Sequence, residues 1–332
     1  MTKKRIGVVG CGQWGPNQIR SFFFHPKTEV VRICDKDPAR LEANRQLFPH
    51  LDGTPDFKKI TRSSDIDAVV ITTPVAWHVE IAKDALLHGK DVLCEKPLAP
   101  TVRECRMLGE LAKKNKRILM VGHVFLFNAG ILELKKLIHE GEIGRLHYLH
   151  AQRTNLGPVR HDVNAVYDLA SHDLSIFNFL LGGTPKVLSA SGKCYLQKKV
   201  EDVAFVSLEY PGNVLAHIHV SWLDPKKVRQ ITVVGHKKMM TWDDLSLTGP
   251  VEIYSKHVEK GPYYRDFGEF HLLVKEGEVR IPNIRNVEPL KQQADHFVEC
   301  IVHRKKPLAD AESAAQVVQT LEEVEKILKK SR

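Results

Sequence analysis

The turn Gly10-Cys11-Gly12-Gln13-Trp14-Gly15 constrains this chain more than any other segment. It follows directly on a short apolar run, residues 5–10, and a helix-like stretch follows it. Three glycines at this spacing have separate physical roles. Gly10 permits a tight turn, Gly12 lets a backbone approach a pyrophosphate, and Gly15 lets helix and strand pack closely. A helix opening at such a turn presents free N–H groups and the positive end of its dipole to phosphates. Gln13 and Trp14 share the loop and are candidate cofactor contacts with it.

Further apolar runs follow at 29–34, 66–72, 91–94 and 118–122. Short continuous apolar runs are the signature of strands buried on both faces. Helical patterns lie between them. Residues 38–47 open with Asp37 as N-cap and Pro38 in the first turn. Residues 77–88 place Val79, Ala82, Ala85 and Leu86 on one face and stop at Gly89. Residues 101–115 open at Thr101 with Glu104 three residues on, a capping box. This order predicts an α/β fold, a Rossmann-type doubly wound parallel sheet, over residues 1–122. Asp35 ends the second run 20 residues after Gly15, where a carboxylate accepts hydrogen bonds from the adenosine ribose hydroxyls. A carboxylate there repels a 2′-phosphate, so NAD is the expected cofactor; the adjacent Lys36 leaves NADP as the alternative. Open α/β sheets bind ligands at the carboxyl ends of their strands. Thr73, Pro74, His78, Glu95, Lys96 and Pro97 fall at those ends and join the candidate cofactor site.

After residue 122 the alternation stops, and residues 123–332 are expected to form a second domain. Residues 187–194, 202–210, 214–222 and 229–235 read as strands separated by turn residues. Residues 166–181 read as a helix that places Asp168 and His172 at i and i+4 on one face. A carboxylate one turn from an imidazole can orient it and stabilise its charged form, which suits general acid–base work. Val317, Leu321, Val324 and Leu328 mark a C-terminal packing helix. Ahead of the Asp168 helix lies a polar segment holding Arg153, Arg160, Asp162 and Asn164. Cations there, with Lys226, Lys227 and Arg229, could neutralise a diphosphate. They could equally bind the cofactor or face solvent. His217 and His219 alternate on one strand face without an evident third ligand, so no metal is expected.

Composition narrows the classes. The 49 lysines and arginines against 40 aspartates and glutamates give a net charge of +9. The excess sits in short scattered clusters with no basic, aromatic-interleaved stripe, so nucleic acid is not an expected partner. No run of 18 apolar residues exists, and the start resembles no signal peptide, so no membrane association is expected. None of the six cysteines forms a CxxC pair, and a cytoplasmic protein with reduced thiols is expected.

The segments GVVGCGQWG, ITTPVAWH, LCEKPLA and YDLASHD, in this order, resemble the glucose–fructose oxidoreductase / inositol dehydrogenase / MocA family from residue 5 to about residue 325. The resemblance implies a Rossmann domain followed by an α+β domain with a large open, mixed and mostly antiparallel sheet. It implies oxidation or reduction of a sugar-like secondary alcohol with NAD(P), and a homodimer or homotetramer formed through that sheet. By the same resemblance Lys96 contacts the reacting hydroxyl, His172 is the general acid/base, and Asp168 is its partner. His123 and Asn128 fall where the domain junction borders the substrate. The polar segment 153–164 looks like the branch acting on nucleotide-linked sugars, at the 3-position of a UDP-N-acetylhexosamine or its uronate. A free polyol, inositol or aldose dehydrogenase is the alternative within the enzymes. A non-catalytic NAD(H)-sensing regulator is the alternative outside them.

Overall fold

The computed structural model describes residues 3–255, 257–260, 272–275, 277–285 and 287–330. The chain forms two compact units: Met1–Phe127 with Val287–Gln319, and Asn128–Asn286 with Thr320–Arg332.

The first unit alternates β1 (Lys4–Val9), α1 (Gly15–Phe23), β2 (Thr28–Cys34), α2 (Pro38–Leu47), β3 (Asp52–Thr54), α3 (Lys58–Thr61), β4 (Ala68–Ile71), α4 (His78–Leu87), β5 (Asp91–Cys94), α5 (Val102–Lys114) and β6 (Leu119–Val121). The six strands lie in the order β3-β2-β1-β4-β5-β6. Every pair is parallel, so this is the doubly wound sheet that the sequence pattern predicts. The strand order reverses between β1 and β4, and that is where such a sheet opens a crevice for a dinucleotide. All four residues of β4 and all four of β5 are buried, as helices on both faces require. The helix starts are made by the expected side chains. Asp37 accepts from the Ala39 N–H at the head of α2. Thr101 Oγ1 accepts from the Glu104 N–H and donates to the Glu104 carboxylate at the head of α5. A cap of this kind is worth about 1 kcal/mol.

The first unit ends after Phe127 rather than at residue 122, and it regains the chain at 287–319. That return brings α8 (Pro289–His303) and the first part of α9 (Ala311–Lys330). Packing explains it. Ala311, Ala314, Ala315 and Val318 belong to the same buried cluster as β4, β5, α4 and α5. The approach is close enough that a Cβ on Gly109 would lie 2.9 Å from the Ala311 Cβ. The apolar spacing from Val317 to Leu328 shows one packing helix, but not that its residues up to Gln319 belong to the first unit and those from Thr320 to the second.

The second unit adds α6 (Ala129–His139), β7 (Leu146–Leu156), α7 (Ser171–Leu181), β8 (Lys186–Lys193), β9 (Val203–Tyr210), β10 (Val214–Ser221), β11 (Leu223–Gly235), β12 (Met239–Asp243), β13 (Val251–Tyr254), β14 (His257–Lys260), β15 (Leu272–Lys275) and β16 (Val279–Arg280). Eight of these strands form one sheet, β16-β13-β12-β11-β7-β10-β9-β8. Its β7–β10 pair is parallel and its other pairs antiparallel, the large mixed sheet that was expected. β14 and β15 pair separately. On the inner face Leu149, Ala151, Ala216, Ile218, Ile231 and Val233 are buried. The outer face carries Tyr148, Phe205 and Leu215, which are 43–51% exposed, beside His150, His217 and His219.

Arg153 on β7 and Asp173 on α7 close an ion pair at 2.8 Å with side chains 2% and 1% exposed. Removing one partner of such a pair leaves the other charge in the interior without that counter-ion. Asp173→Ala is therefore expected to cost about 3–5 kcal/mol of stability, read from the denaturant midpoint. A loss below about 1 kcal/mol would show the guanidinium to be satisfied without this carboxylate.

Candidate active site

In the first unit the glycine turn has the shape a dinucleotide needs. Gly10 has φ +106°, and a Cβ there would sit 2.8 Å from the Thr73 nitrogen. A Cβ on Gly15 would collide with the Gly10 carbonyl oxygen. On Gly12 the nearest atom to a Cβ is Arg40 Nη1 at 3.4 Å, so that side of the turn is open to a phosphate. No side chain caps the N-terminus of α1, and Pro16 occupies its first turn. The helix end is left to an anion. These observations fit a bound NAD. Gly10, Gly12 and Gly15 would hold its pyrophosphate, with Gln13 and Trp14 in the same loop.

Asp35 accepts from the Cys11 N–H at 2.7 Å and the Asp37 N–H at 2.9 Å. Each of its oxygens retains a further lone pair for a ribose hydroxyl. Arg40, which the sequence reading did not single out, places Nη1 4.0 Å from that carboxylate. Lys36 instead lays its ammonium 3.7 Å from the centre of the Trp77 ring.

The loops after β4 and β5 are tied together by His78. Its buried ring sets Nε2 2.8 Å from the Thr73 carbonyl oxygen and Nδ1 2.9 Å from that of Pro97. Burial pushes its pKa down. The ring therefore lies between the segments bearing Pro74 and Lys96, and in its neutral form its one N–H donates to one of the two carbonyls. Glu95 accepts from Gln18 Nε2 of α1 at 2.8 Å. Burial raises its pKa, opposed by hydrogen bonds from Gln18 and Trp14 and by the Lys96 charge. Its carboxylate lies where a Gly122 side chain would be, with Oε2 2.8 Å from a Cβ there. The carboxyl ends of β5 and β6 thus bring Glu95, Lys96, Pro97 and His123 together. His123 is 2% exposed, and burial, with Lys96 second, lowers its pKa to about 4.

In the second unit a π-helical turn, Val166–Ala170, runs into α7 and carries Asp168 just ahead of His172. Such turns recur at functional sites. The Asp168 carboxylate accepts from Trp222 Nε1 at 3.2 Å and from Arg160 Nη1 at 3.4 Å. Arg160 also pairs with Asp162. Trp222 is 1% exposed, so its indole is a fixed donor. The other polar candidates lie within the framework. Arg153 is closed on Asp173. Asn164 donates to Glu201 and Glu325 and accepts from the Tyr167 N–H, which starts the turn bearing Asp168. Asn128 caps α6, accepts from Trp242 Nε1 and donates to Asp244. Of Lys226, Lys227 and Arg229, the two lysines are exposed and the arginine pairs with Asp244 at 3.0 Å.

Trp222, Gln18 and Arg40 escaped the sequence reading. Trp222 and Gln18 act on carboxylates far along the chain, and Arg40 reaches the nearby Asp35 from a spacing that marks no site by itself; the i, i+4 register of Asp168 and His172 had a local signal. Among the described residues no cluster suited to a metal occurs, and no helix is long and apolar enough to cross a membrane. The six cysteines are unbridged; five are buried and Cys194 is half-buried.

Comparison with known proteins agrees with this geometry. A family described as oxidoreductase, NAD-binding Rossmann fold, matches residues 4–123, and the GFO/IDH/MocA C-terminal domain matches residues 131–241. Inositol 2-dehydrogenase of Burkholderia multivorans is 33% identical over 237 residues, 70% of this chain and 64% of that one. The 1-carboxy-3-chloro-3,4-dihydroxycyclohexa-1,5-diene dehydrogenase of Comamonas testosteroni is 28% identical over 233 residues, 65% of this chain and 57% of that one. The matched region spans 54–66% of the length of such curated relatives. The solved UDP-N-acetylglucosamine 3-dehydrogenase of Acidithiobacillus ferrooxidans superposes with TM-score 0.83 at 20% identity, over 99% of both chains, a likeness of fold. With both halves matched by its domains, and with the glycine turn and parallel sheet in place, the chain belongs to the GFO/IDH/MocA family of NAD-binding oxidoreductases.

Proposed function

We propose that this protein is an NAD-dependent dehydrogenase of a ring secondary alcohol on a sugar or polyol. The observation that carries the reading is Lys96. It stands at the carboxyl end of β5, on the edge of the sheet that bears the dinucleotide turn. Bound NAD supplies the hydride acceptor. Lys96 holds the substrate hydroxyl and lowers its proton affinity. His172 takes the hydroxyl proton as the carbon-bound hydrogen leaves with its electron pair. Asp168, oriented by Trp222 and Arg160, keeps the imidazole in position for that transfer. Asp35 selects NAD over NADP by repelling a 2′-phosphate.

Two substrate readings make different demands on the second unit. A nucleotide-linked sugar needs cations at its diphosphate; of those singled out above, Lys226 and Lys227 are exposed, while Arg160 is engaged by Asp162 and Asp168. Arg153 and Asn164, engaged inside, do not add to them. A free polyol needs no such cations, and the inositol 2-dehydrogenase relatives favour it. The exposed outer face of the eight-stranded sheet, with Tyr148, Phe205 and Leu215, is the surface through which we infer that two copies associate.

Four measurements test this reading. Lys96→Met and His172→Ala are expected to bind NAD like the parent and to lose at least about 100-fold in kcat. Parent-like turnover by both would remove the assigned roles, and NAD binding without turnover of any sugar would favour a sensor. In a thermal-shift screen a UDP-sugar or a free polyol, whichever is the substrate, raises Tm. Asp35→Ser is expected to narrow the preference for NAD over NADP by about tenfold or more, read as the ratio of kcat/KM values. In light scattering, Phe205→Glu is expected to convert a dimer or larger assembly to monomer. A parent that is already monomeric would refute the assembly.

A further inference from the structure

The neutral, buried imidazole of His123 has no function in the fold. It is 2% exposed, and among the described residues neither Nδ1 nor Nε2 has a hydrogen-bond partner. Its main chain is fully employed: the N–H donates to the Val121 carbonyl at 2.8 Å, and the carbonyl accepts from the Leu126 N–H at 3.0 Å. An apolar side chain would serve the core better, because a buried polar atom without a partner is costly. Such an atom is retained where a ligand completes it.

The location narrows the ligand. The sheet runs β2-β1-β4-β5-β6. Asp35 ends β2 at the adenosine ribose, and the α1 turn after β1 takes the pyrophosphate. The nicotinamide half therefore falls over the ends of β4, β5 and β6. His123 follows β6 directly, beside Glu95 and Lys96: the Gly122 N–H donates to the Cys94 carbonyl at 2.7 Å, which joins the two strand ends. Burial and the nearby Lys96 charge keep the ring neutral to about pH 4, so it offers one N–H and one lone pair. The two nitrogens face opposite sides of the ring, so one group meets only one of them, and a primary amide can donate its N–H to the ring's lone pair.

Resting on the NAD reading above, we propose that His123 binds the carboxamide of the nicotinamide through one ring nitrogen, which accepts from the amide N–H. This assigns His123 to the cofactor rather than to the substrate.

The test is a binding measurement on the full chain, by calorimetry, with NAD, ADP-ribose and 3-acetylpyridine adenine dinucleotide. The last replaces the amide NH2 by a methyl group. The parent is expected to bind NAD about tenfold more tightly than the acetylpyridine analogue. His123→Phe should lose that discrimination and about tenfold of NAD affinity, and keep ADP-ribose affinity, because ADP-ribose lacks the ring. His123→Gln, which keeps a donor and an acceptor, should recover part of the loss. Equal losses for NAD and ADP-ribose would mean a structural role and overturn the proposal. So would a parent that does not distinguish NAD from its analogue, a result that needs no variant. A variant with parent-like NAD affinity and a raised KM for the alcohol alone would place His123 on the substrate and equally overturn it. Failure of the parent to bind ADP-ribose would instead strike the NAD reading itself.

Discussion

The first unit depends on how the Gly10 carbonyl is used. Thr72 Oγ1 donates to it at 2.6 Å, and Gly15 packs against it without a side chain between. One oxygen thus joins the end of β1, the loop after β4 and the start of α1. The next residue continues the chain of consequence, since the Cys11 N–H holds Asp35 at the end of β2. One turn into α1, Gln18 holds Glu95, the residue before Lys96. The glycine turn and Lys96 are therefore two ends of one short run of contacts. A side chain at Gly15 would disturb both.

Much of the first unit was legible because its signals are local and redundant. Strands buried on both faces are apolar along their whole length, and Asp37, Thr101 and Gly89 mark the helix ends within a few residues. The second unit is less legible. One face of its sheet is exposed, so strands such as β7 mix Tyr148, His150 and Gln152 with Leu149 and Ala151, and their apolar content falls. Short strands like β3 and β16 offer too few residues for any period to show.

The site divides along the same line. The glycine turn, Asp35 and the residues at the ends of β4 and β5 could be placed from spacing, because a parallel sheet puts its strand ends on one edge. The polar segment at 153–164 could not be resolved in that way. A sequence shows that Arg153 and Arg160 are cationic. It does not show that one is closed on Asp173 in the interior while the other reaches Asp162 and Asp168 from a partly exposed position. Trp222 is equally silent: it is one more apolar residue at the end of a strand until the fold brings its indole N–H to Asp168.

The passage of the chain between the two units has a consequence for how it is made. The polypeptide belongs in turn to the first unit, the second, the first again and the second again. The buried cluster around β4 and β5 includes Ala314, Ala315 and Val318, which come after the whole of residues 128–286 in the order of synthesis. A ribosome-bound chain therefore exports a nearly whole Rossmann sheet whose core stays uncovered until residues 311–318 have also emerged. A fragment cut after residue 127 would expose that same apolar face. Neither half is a module that evolution or an engineer can lift out by a single cut.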